Sequence, residues 1–260
     1  MGSTQLTAFF ERVHYQGSTE PTLETLKQLQ RAFLLAVPFE NLDMLFEEHR
    51  ELSFSAFYEK IVVEQRGGNS YECNGLFYSI LKALGFDVAL LSAQMVTGEQ
   101  LSPEFDHMML RVSLDKDYLV DVSNVQLCPE PLLLDIDKAC EYHAERSSFK
   151  LALYQGQPAL FFKTPSVDWQ PRLVINIAPC ALTDFAAMFR FHQSSNDSIL
   201  RQGQLVTMMT QTGRLTLSGM TLITINNDRA DTDRVVQQEL TNQAEYLARL
   251  KACFGIEFED

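Results

Sequence analysis

Apolar residues recur at helical spacing in the first third of the chain, and strand-like runs take over after that. In residues 21–37, PTLETLKQLQRAFLLAV, the positions Leu23, Leu26, Leu29, Phe33 and Val37 fall near a 3.6-residue period. Pro21 and Thr22 supply the start signal. Two more helices are expected from SFSAFYEKIVVEQ (53–65) and CNGLFYSILKALG (73–85), the second closed by Gly85. Strand patterns begin with FDVALLSAQMV (86–96) and continue with HMMLRVSL (107–114) and DYLVDV (117–122). The last two meet at the turn residues Asp115, Lys116 and Asp117, which predicts a hairpin. RLVINIAP (172–179), QLVTMMTQ (204–211), RLTLSG (214–219) and TLITINN (221–227) extend the β-rich region, with Thr212-Gly213 read as a tight turn. An amphipathic stretch from Thr232, ending at Gly255, reads as a terminal helix. Helices first, strands in the middle and a helix at the end predict an α+β fold rather than a doubly wound one.

Composition narrows the function classes. With 260 residues and 46% hydrophobic content, the chain can fill one large core or two small ones. A net charge of −13 argues against nucleic acid as the partner, because phosphate-backbone affinity is carried by Lys and Arg. The five cysteines (Cys73, Cys128, Cys140, Cys180, Cys253) are odd in number and widely spaced, with no C-x-x-C. That pattern speaks against a disulfide framework or a metal site and fits a cytoplasmic protein. The opening MGSTQL has no signal-peptide pattern, and no apolar run is long enough for a bilayer, so no membrane partner is expected.

Candidate chemistry gathers in three places. RGGNSYECN (66–74) sets two glycines ahead of a helix, an arrangement that brings backbone close to a neighbour. A side chain at the helix start sees the positive dipole end and free N–H groups, which favour a developing oxyanion. His107, in FDHMMLRV, opens one strand, and Asp121, in YLVDVSN, closes its hairpin partner. Paired strands let the two face each other, where an aspartate orients an imidazole. A lone strand histidine is more often structural; the three together form a nucleophile–base–orienter set.

The sequence resembles the arylamine N-acetyltransferases nearly end to end. VPFENLDML (37–45) is similar to the family's PFEN motif, RGGNSYECN to its R-G-G-x-C-x-E-x-N nucleophile motif, and FGIEF (254–258) to its C-terminal ending. The resemblance implies a helical domain (1–85), a central β-barrel (86–190) and an α/β lid (191–260) on a cysteine-proteinase-like core. It also implies ping-pong acyl transfer from acetyl-CoA, as co-substrate, to a small-molecule amine. By position, the triad is Ser70, His107 and Asp121, with Arg66, Glu72 and Glu40 bracing the loop.

Several positions depart from the family pattern. Ser70 stands where the catalytic cysteine is expected, and Cys73 falls on a variable position. Three residues further along a helix, Cys73 is displaced by about 5 Å, too far for a triad built on hydrogen-bond distances. DVSNV (121–125) replaces D-V-G-F-G, which implies a reshaped acceptor pocket. SSNDS (194–198) replaces T-S-P-x-S near the CoA site. Ser194, Ser195 and Ser198 remain as donors to phosphate oxygens, while Asp197 opposes an anion. Phe33 stands where relatives commonly carry histidine. A serine hydroxyl is far harder to ionise than a thiol and forms an oxygen ester less reactive toward amines. Low or altered activity is therefore expected. The alternatives are a silent homologue, with a natural or engineered serine, that binds a ligand or partner, and an amide synthase using another thioester donor such as a carrier protein.

Overall fold

The structure is a computed structural model that describes residues 2–45, 49–124, 129–138, 141–144, 147–229 and 234–258. Val125, Cys128 and Cys140 lie outside the described residues.

The chain opens with a helix that its periodicity did not announce, α1 (Ser3–Arg12), which buries Phe9 completely. Arg12 fixes it in place: its guanidinium donates to the carbonyls of Ile61 at 2.9 Å and Ala36 at 2.8 Å. Helix α2 (Leu23–Ala36) starts as expected, with the Thr22 hydroxyl accepting from the Thr25 amide. Its Leu26, Leu29 and Phe33 are fully buried. A two-residue strand, β1 (Phe39–Glu40), and a single turn, α3 (Leu42–Leu45), follow. The helix expected over 53–65 is only partly α. After α4 (Phe54–Tyr58) the chain widens into a π-helical turn over Glu59–Val63, and that turn carries Lys60 into the interior. Such turns are rare, and many occur at functional sites. Helix α5 (Ser70–Ala83) begins three residues earlier than its apolar run and ends at Leu84 and Gly85, the latter at φ +87°.

The central strands make one antiparallel sheet: β2 (Asp87–Thr97), β3 (Gln100–Leu101), β4 (His107–Ser113), β5 (Asp117–Val120), β6 (Leu132–Leu133), β7 (Glu141–Ala144), β8 (Ser147–Tyr154), β9 (Gln157–Thr164) and β10 (Val167–Cys180). The order is β6-β5-β4-β2-β10-β9-β8-β7, with β3 beside β2. The sheet curls until its ends approach, where the Tyr142 hydroxyl of β7 accepts from the Leu133 amide of β6. Leu91, Met109, Leu119, Phe149, Leu160 and Leu173, from strands all around it, meet in one core cluster. This is a nearly closed barrel, and the chain is α+β, as its element order predicted. The β4–β5 hairpin pairs Val112 with Tyr118 and Ser113 with Asp117, as the intervening polar turn predicted.

A second antiparallel sheet joins the two ends of the chain. Its order is β1, β11 (Leu205–Thr210), β12 (Gly213–Ser218), β13 (Thr221–Asn226) and β14 (Val235–Glu239). The turn between β11 and β12 is Gln211-Thr212, one residue earlier than expected, and Gly213 already belongs to the ladder. A Cβ there would lie 2.1 Å from the Ile225 carbonyl oxygen, so the glycine serves close strand approach. The terminal helix is shorter than its amphipathic pattern. Val235–Glu239 pairs with β13 as a strand, and α7 (Gln243–Phe254) begins only where the Asn242 side chain caps the Glu245 amide. Between β10 and β11 in the chain comes α6 (Ala186–Ser194), whose Phe189 packs in the helical core.

Candidate active site

The RGG loop is the seam where the helical part meets β1. A Cβ on Gly67 would lie 2.2 Å from the Pro38 carbonyl oxygen. The Gly68 amide donates to Pro38 at 3.1 Å, and the Glu40 amide donates to Gly68 at 3.0 Å. The glycines therefore admit the neighbouring PFEN backbone. Asn69 then caps α5: its side chain accepts from the amides of Tyr71 and Glu72, and the Glu72 carboxylate accepts from its amide at 2.9 Å. Ser70 is consequently the first helical residue.

Behind the loop is a buried set of charges. Arg66 Nη2 lies 2.8 Å from Glu40 Oε1 and 2.6 Å from Asp43 Oδ1. Lys60 Nζ lies 2.9 Å from both Asp43 Oδ2 and Glu72 Oε2. Burial opposes the Lys60 charge, but Glu40, Glu72 and Asp43 outweigh it and raise its pKa. Burial likewise opposes ionisation of Asp43, yet Lys60 and Arg66 hold its pKa at about 2. The expected bracing by Arg66, Glu72 and Glu40 is present, and Lys60 and Asp43 complete it. Neither stood out in the sequence, since a lysine on an amphipathic stretch reads as a surface residue. Asn41, the last residue of PFEN, donates to the carbonyls of Leu200 and Gly203 at 2.9 and 2.7 Å and accepts from the Leu205 amide at 2.8 Å.

In front of the loop, Ser70 and His107 open onto one cleft of about 800 Å³. His107 Nε2 lies 2.7 Å from Asp121 Oδ2. Continued register would pair position 107 with 123, so Asp121 sits diagonally on the same sheet face. Asp121 is fully buried, and its Oδ1 accepts from Asn74 Nδ2 (2.9 Å), the Ser123 amide (2.8 Å) and the Ser123 hydroxyl (2.7 Å). Burial alone would raise this carboxyl; the His107 charge and those hydrogen bonds hold it below the usual carboxylate value. Asn74 also donates to the Met108 carbonyl at 2.8 Å, which ties α5 to β4. Among the described residues, His107 Nδ1 has no hydrogen-bond partner, and none joins the imidazole to the Ser70 hydroxyl. Cys73 faces the other way. It is fully buried, its Sγ lies 3.2 Å from the Gly68 carbonyl oxygen, and burial raises its pKa well above the ordinary thiol value.

The serines of 194–198, expected as donors toward the cofactor, are not among the residues lining this cleft; they bond to α6 and to the turn after it. Ser194 donates to the Arg190 carbonyl at 2.8 Å, and Ser195 accepts from the Asp197 amide at 3.2 Å. Ser198 is fully buried, with its hydroxyl 2.8 Å from His192 Nδ1. Asp197 lines the cleft, as does Arg214 of β12, a cation that the sequence reading did not single out. Among the described residues, no helix is long and apolar enough to cross a membrane.

The sequence profile of a family described as N-acetyltransferase matches residues 22–260. An arylamine N-acetyltransferase, the pineal gland isozyme NAT-3 of Gallus gallus, is 44% identical over 117 residues, covering 44% of this chain and 40% of the relative. The arylamine N-acetyltransferase / N-hydroxyarylamine O-acetyltransferase of Salmonella typhimurium is 36% identical over 137 residues, covering 52% of this chain. The chain thus aligns with about half or less of these relatives' length. Longer alignments also occur: arylamine N-acetyltransferase 2 of Mus musculus is 26% identical across 97% of this chain and 94% of the relative. Among solved structures, the Salmonella typhimurium arylamine N-acetyltransferase superposes with TM-score 0.88 at 26% identity, covering all of this chain and 94% of that one. The Mycobacterium marinum arylamine N-acetyltransferase in complex with CoA gives 0.87 at 26% identity, covering 96% and 92%.

Proposed function

The chain belongs to the N-acetyltransferase family, and from that premise we propose that it carries an acetyl group from acetyl-CoA to a small-molecule amine through Ser70. The observation that carries this reading is the His107–Asp121 pair at 2.7 Å, with His107 opening onto the same cleft as Ser70. In the first step His107 Nδ1 takes the hydroxyl proton as Ser70 Oγ attacks the thioester carbonyl. The C–S bond breaks, CoA leaves as the thiol with that proton, and the acetyl group remains as an oxygen ester on Ser70. In the second step the amine attacks the ester, His107 takes an amine proton, and it returns the proton to the departing Ser70 oxygen. Asp121 fixes the tautomer with Nε2–H and stabilises the imidazolium. An apo hydrogen bond between nucleophile and base is not required for this assignment, because such contacts often close only around substrate.

The division into a helical part (1–85), barrel (86–190) and lid (191–260) belongs to the same reading. The lid and the barrel then form the two walls of the donor cleft. Of the three serines, Ser198 is committed to His192, and Ser194 and Ser195 lie outside the cleft lining, so donor contacts from them require the 194–198 turn to shift toward CoA. The oxygen ester is less reactive toward amines than a thioester, so turnover is low and the acetyl-enzyme long-lived. One observation favours a second reading, a ligand-binding homologue without turnover: the Ser70 hydroxyl makes no hydrogen bond to His107. Intact mass after incubation with acetyl-CoA decides between them. A gain of one acetyl group, lost in Ser70→Ala, supports transfer; an unchanged mass with CoA bound supports the silent homologue.

A further inference from the structure

A second histidine–carboxylate pair lies on the same cleft and has no place in that chemistry. His192, on α6, is 2% exposed. Its Nε2 lies 3.1 Å from Asp106 Oδ1, within ion-pair range though off the line of a good hydrogen bond. Its Nδ1 lies 2.8 Å from the hydroxyl of Ser198, which is wholly buried and also caps the next turn through the Leu200 amide. The order Ser198–His192–Asp106 mimics a catalytic triad, but its hydroxyl has no access to solvent or cleft, so nucleophilic chemistry there is excluded.

What the chain of contacts does is mechanical. Asp106 immediately precedes His107, and the Tyr71 hydroxyl, one residue after Ser70, donates to the carbonyls of Phe105 and Asp106 at 2.8 and 3.0 Å. The Tyr71 ring also packs 5.9 Å from the His192 ring. The segment after His192 therefore rests on the same short stretch that sets the positions of both Ser70 and His107. That segment supplies Asp197, Ile199 and Leu200 to the cleft wall. On its far side Arg201 ties it to the Met44 and Gln193 carbonyls, each at 2.7 Å, and so to the helical part.

We infer that His192 is a positioning residue: through Asp106 and Ser198 it sets the lid wall of the cleft against the start of β4, and so governs donor binding rather than the acyl-transfer step. This rests on the acyl-transfer reading for its ligand, though not for its structural part. The test compares His192→Phe, which keeps the ring and loses both polar contacts, with His192→Gln, which can still donate toward Asp106. Calorimetry with CoA should show about ten-fold weaker binding in the Phe variant and recovery to within about three-fold in the Gln variant. Acetylation of Ser70 at saturating acetyl-CoA, followed by intact mass, should keep its rate within about three-fold. Hydrogen exchange of residues 195–202 without ligand should accelerate in the Phe variant and return toward the parent rate in the Gln variant. The inference is overturned if the Phe variant binds CoA like the parent, or if the saturated acetylation rate falls as far as the affinity. Should the parent itself neither bind CoA nor take up acetyl, the acyl-transfer reading fails; unchanged exchange at 195–202 would then overturn the positioning role separately.

Discussion

Two histidine–aspartate pairs face one cleft, and they differ in what the second ring nitrogen does. His107 gives Nε2 to Asp121 and leaves Nδ1 without a partner among the described residues. His192 has a neighbour at each nitrogen, Asp106 on one side and Ser198 on the other. The carboxylates differ as well. Asp121 is fully buried and accepts from Asn74 and twice from Ser123 besides His107, so its own position is fixed by α5 and the β4–β5 hairpin. Asp106 sits on the loop before β4 with a side chain that is 10% exposed. On the proposed reading, the same residue types give a base for proton transfer in one place and a mechanical tie in the other. What separates them is the nitrogen away from the carboxylate: His192 Nδ1 lies 2.8 Å from the Ser198 hydroxyl, whereas His107 Nδ1 has no hydrogen-bond partner among the described residues.

The largest expected effect breaks the first pair. Asp121→Asn should keep the Asn74 contact but lose the tautomer control, and acetylation of Ser70 should slow by about a thousand-fold or more. Asp106→Asn should change the same rate by less than about three-fold if that pair only positions the wall. Equal slowing in both, followed by intact mass over time, would erase the distinction drawn between them.

Next comes the support beneath the loop. Lys60→Met removes a cation from among Glu40, Asp43 and Glu72, which leaves buried carboxylates short of a partner. Urea unfolding should show a loss of about 3–5 kcal/mol, as for other broken buried ion pairs. A loss under about 1 kcal/mol, the range of surface pairs, would mean the cluster is no more than a solvated face.

Acid sharpens the contrast more gently. Asp43, at about 2, and Asp121 both have folded-state pKa values below the ordinary carboxylate value. A depressed carboxylate stabilises the fold fully above its unfolded pKa, near 4, and that contribution disappears as pH falls through the folded value. Urea midpoints should therefore decline between pH about 4 and about 2, less steeply in Asp43→Asn. A flat profile there would contradict the assigned pairing. The smallest effect is at the cleft wall. Asp197→Asn should tighten CoA binding by a few-fold at low salt and less at high salt, because an exposed charge is screened within about 10 Å at 0.1 M. Unchanged calorimetry at low salt would show that Asp197 does not meet the ligand's charges.

Much of this arrangement is legible in the residues because local pattern and local structure agree. The strand that opens at His107 and the one that ends just before Asp121 have clear apolar runs and a polar turn between them, and their hairpin forms where that pattern puts it. Thr22 before α2 and Gly85 after α5 mark helix ends by side chain and by left-handed backbone. Other parts depend on tertiary partners. Lys60 is buried by a π-helical turn that no periodicity encodes. β14 has an almost wholly exposed pattern, with Val235 and Val236 each about half exposed, so it resembles the polar stretch of a helix until β13 pairs with it. β8 and β9 pass unread because Leu153 faces solvent and neighbouring aromatics face both sides of the sheet. His192 and Asp106, far apart in sequence, meet only when α6 folds over the start of β4. The serines of 194–198 show the same limit from the other side: their positions were visible, but not that Ser198 turns inward to a histidine.

The central claim is that acetyl chemistry passes through Ser70 with His107–Asp121 behind it. Its most direct test follows the fate of an acetyl group by peptide mapping in the parent chain and in Ser70→Cys, each loaded with acetyl-CoA and then chased with an arylamine. The parent should retain the acetyl group on the peptide containing Ser70 well into the chase, whereas the Cys variant should load faster and discharge rapidly to the amine. An acetyl group found on Cys73, or no loading of either protein while CoA still binds, would contradict it.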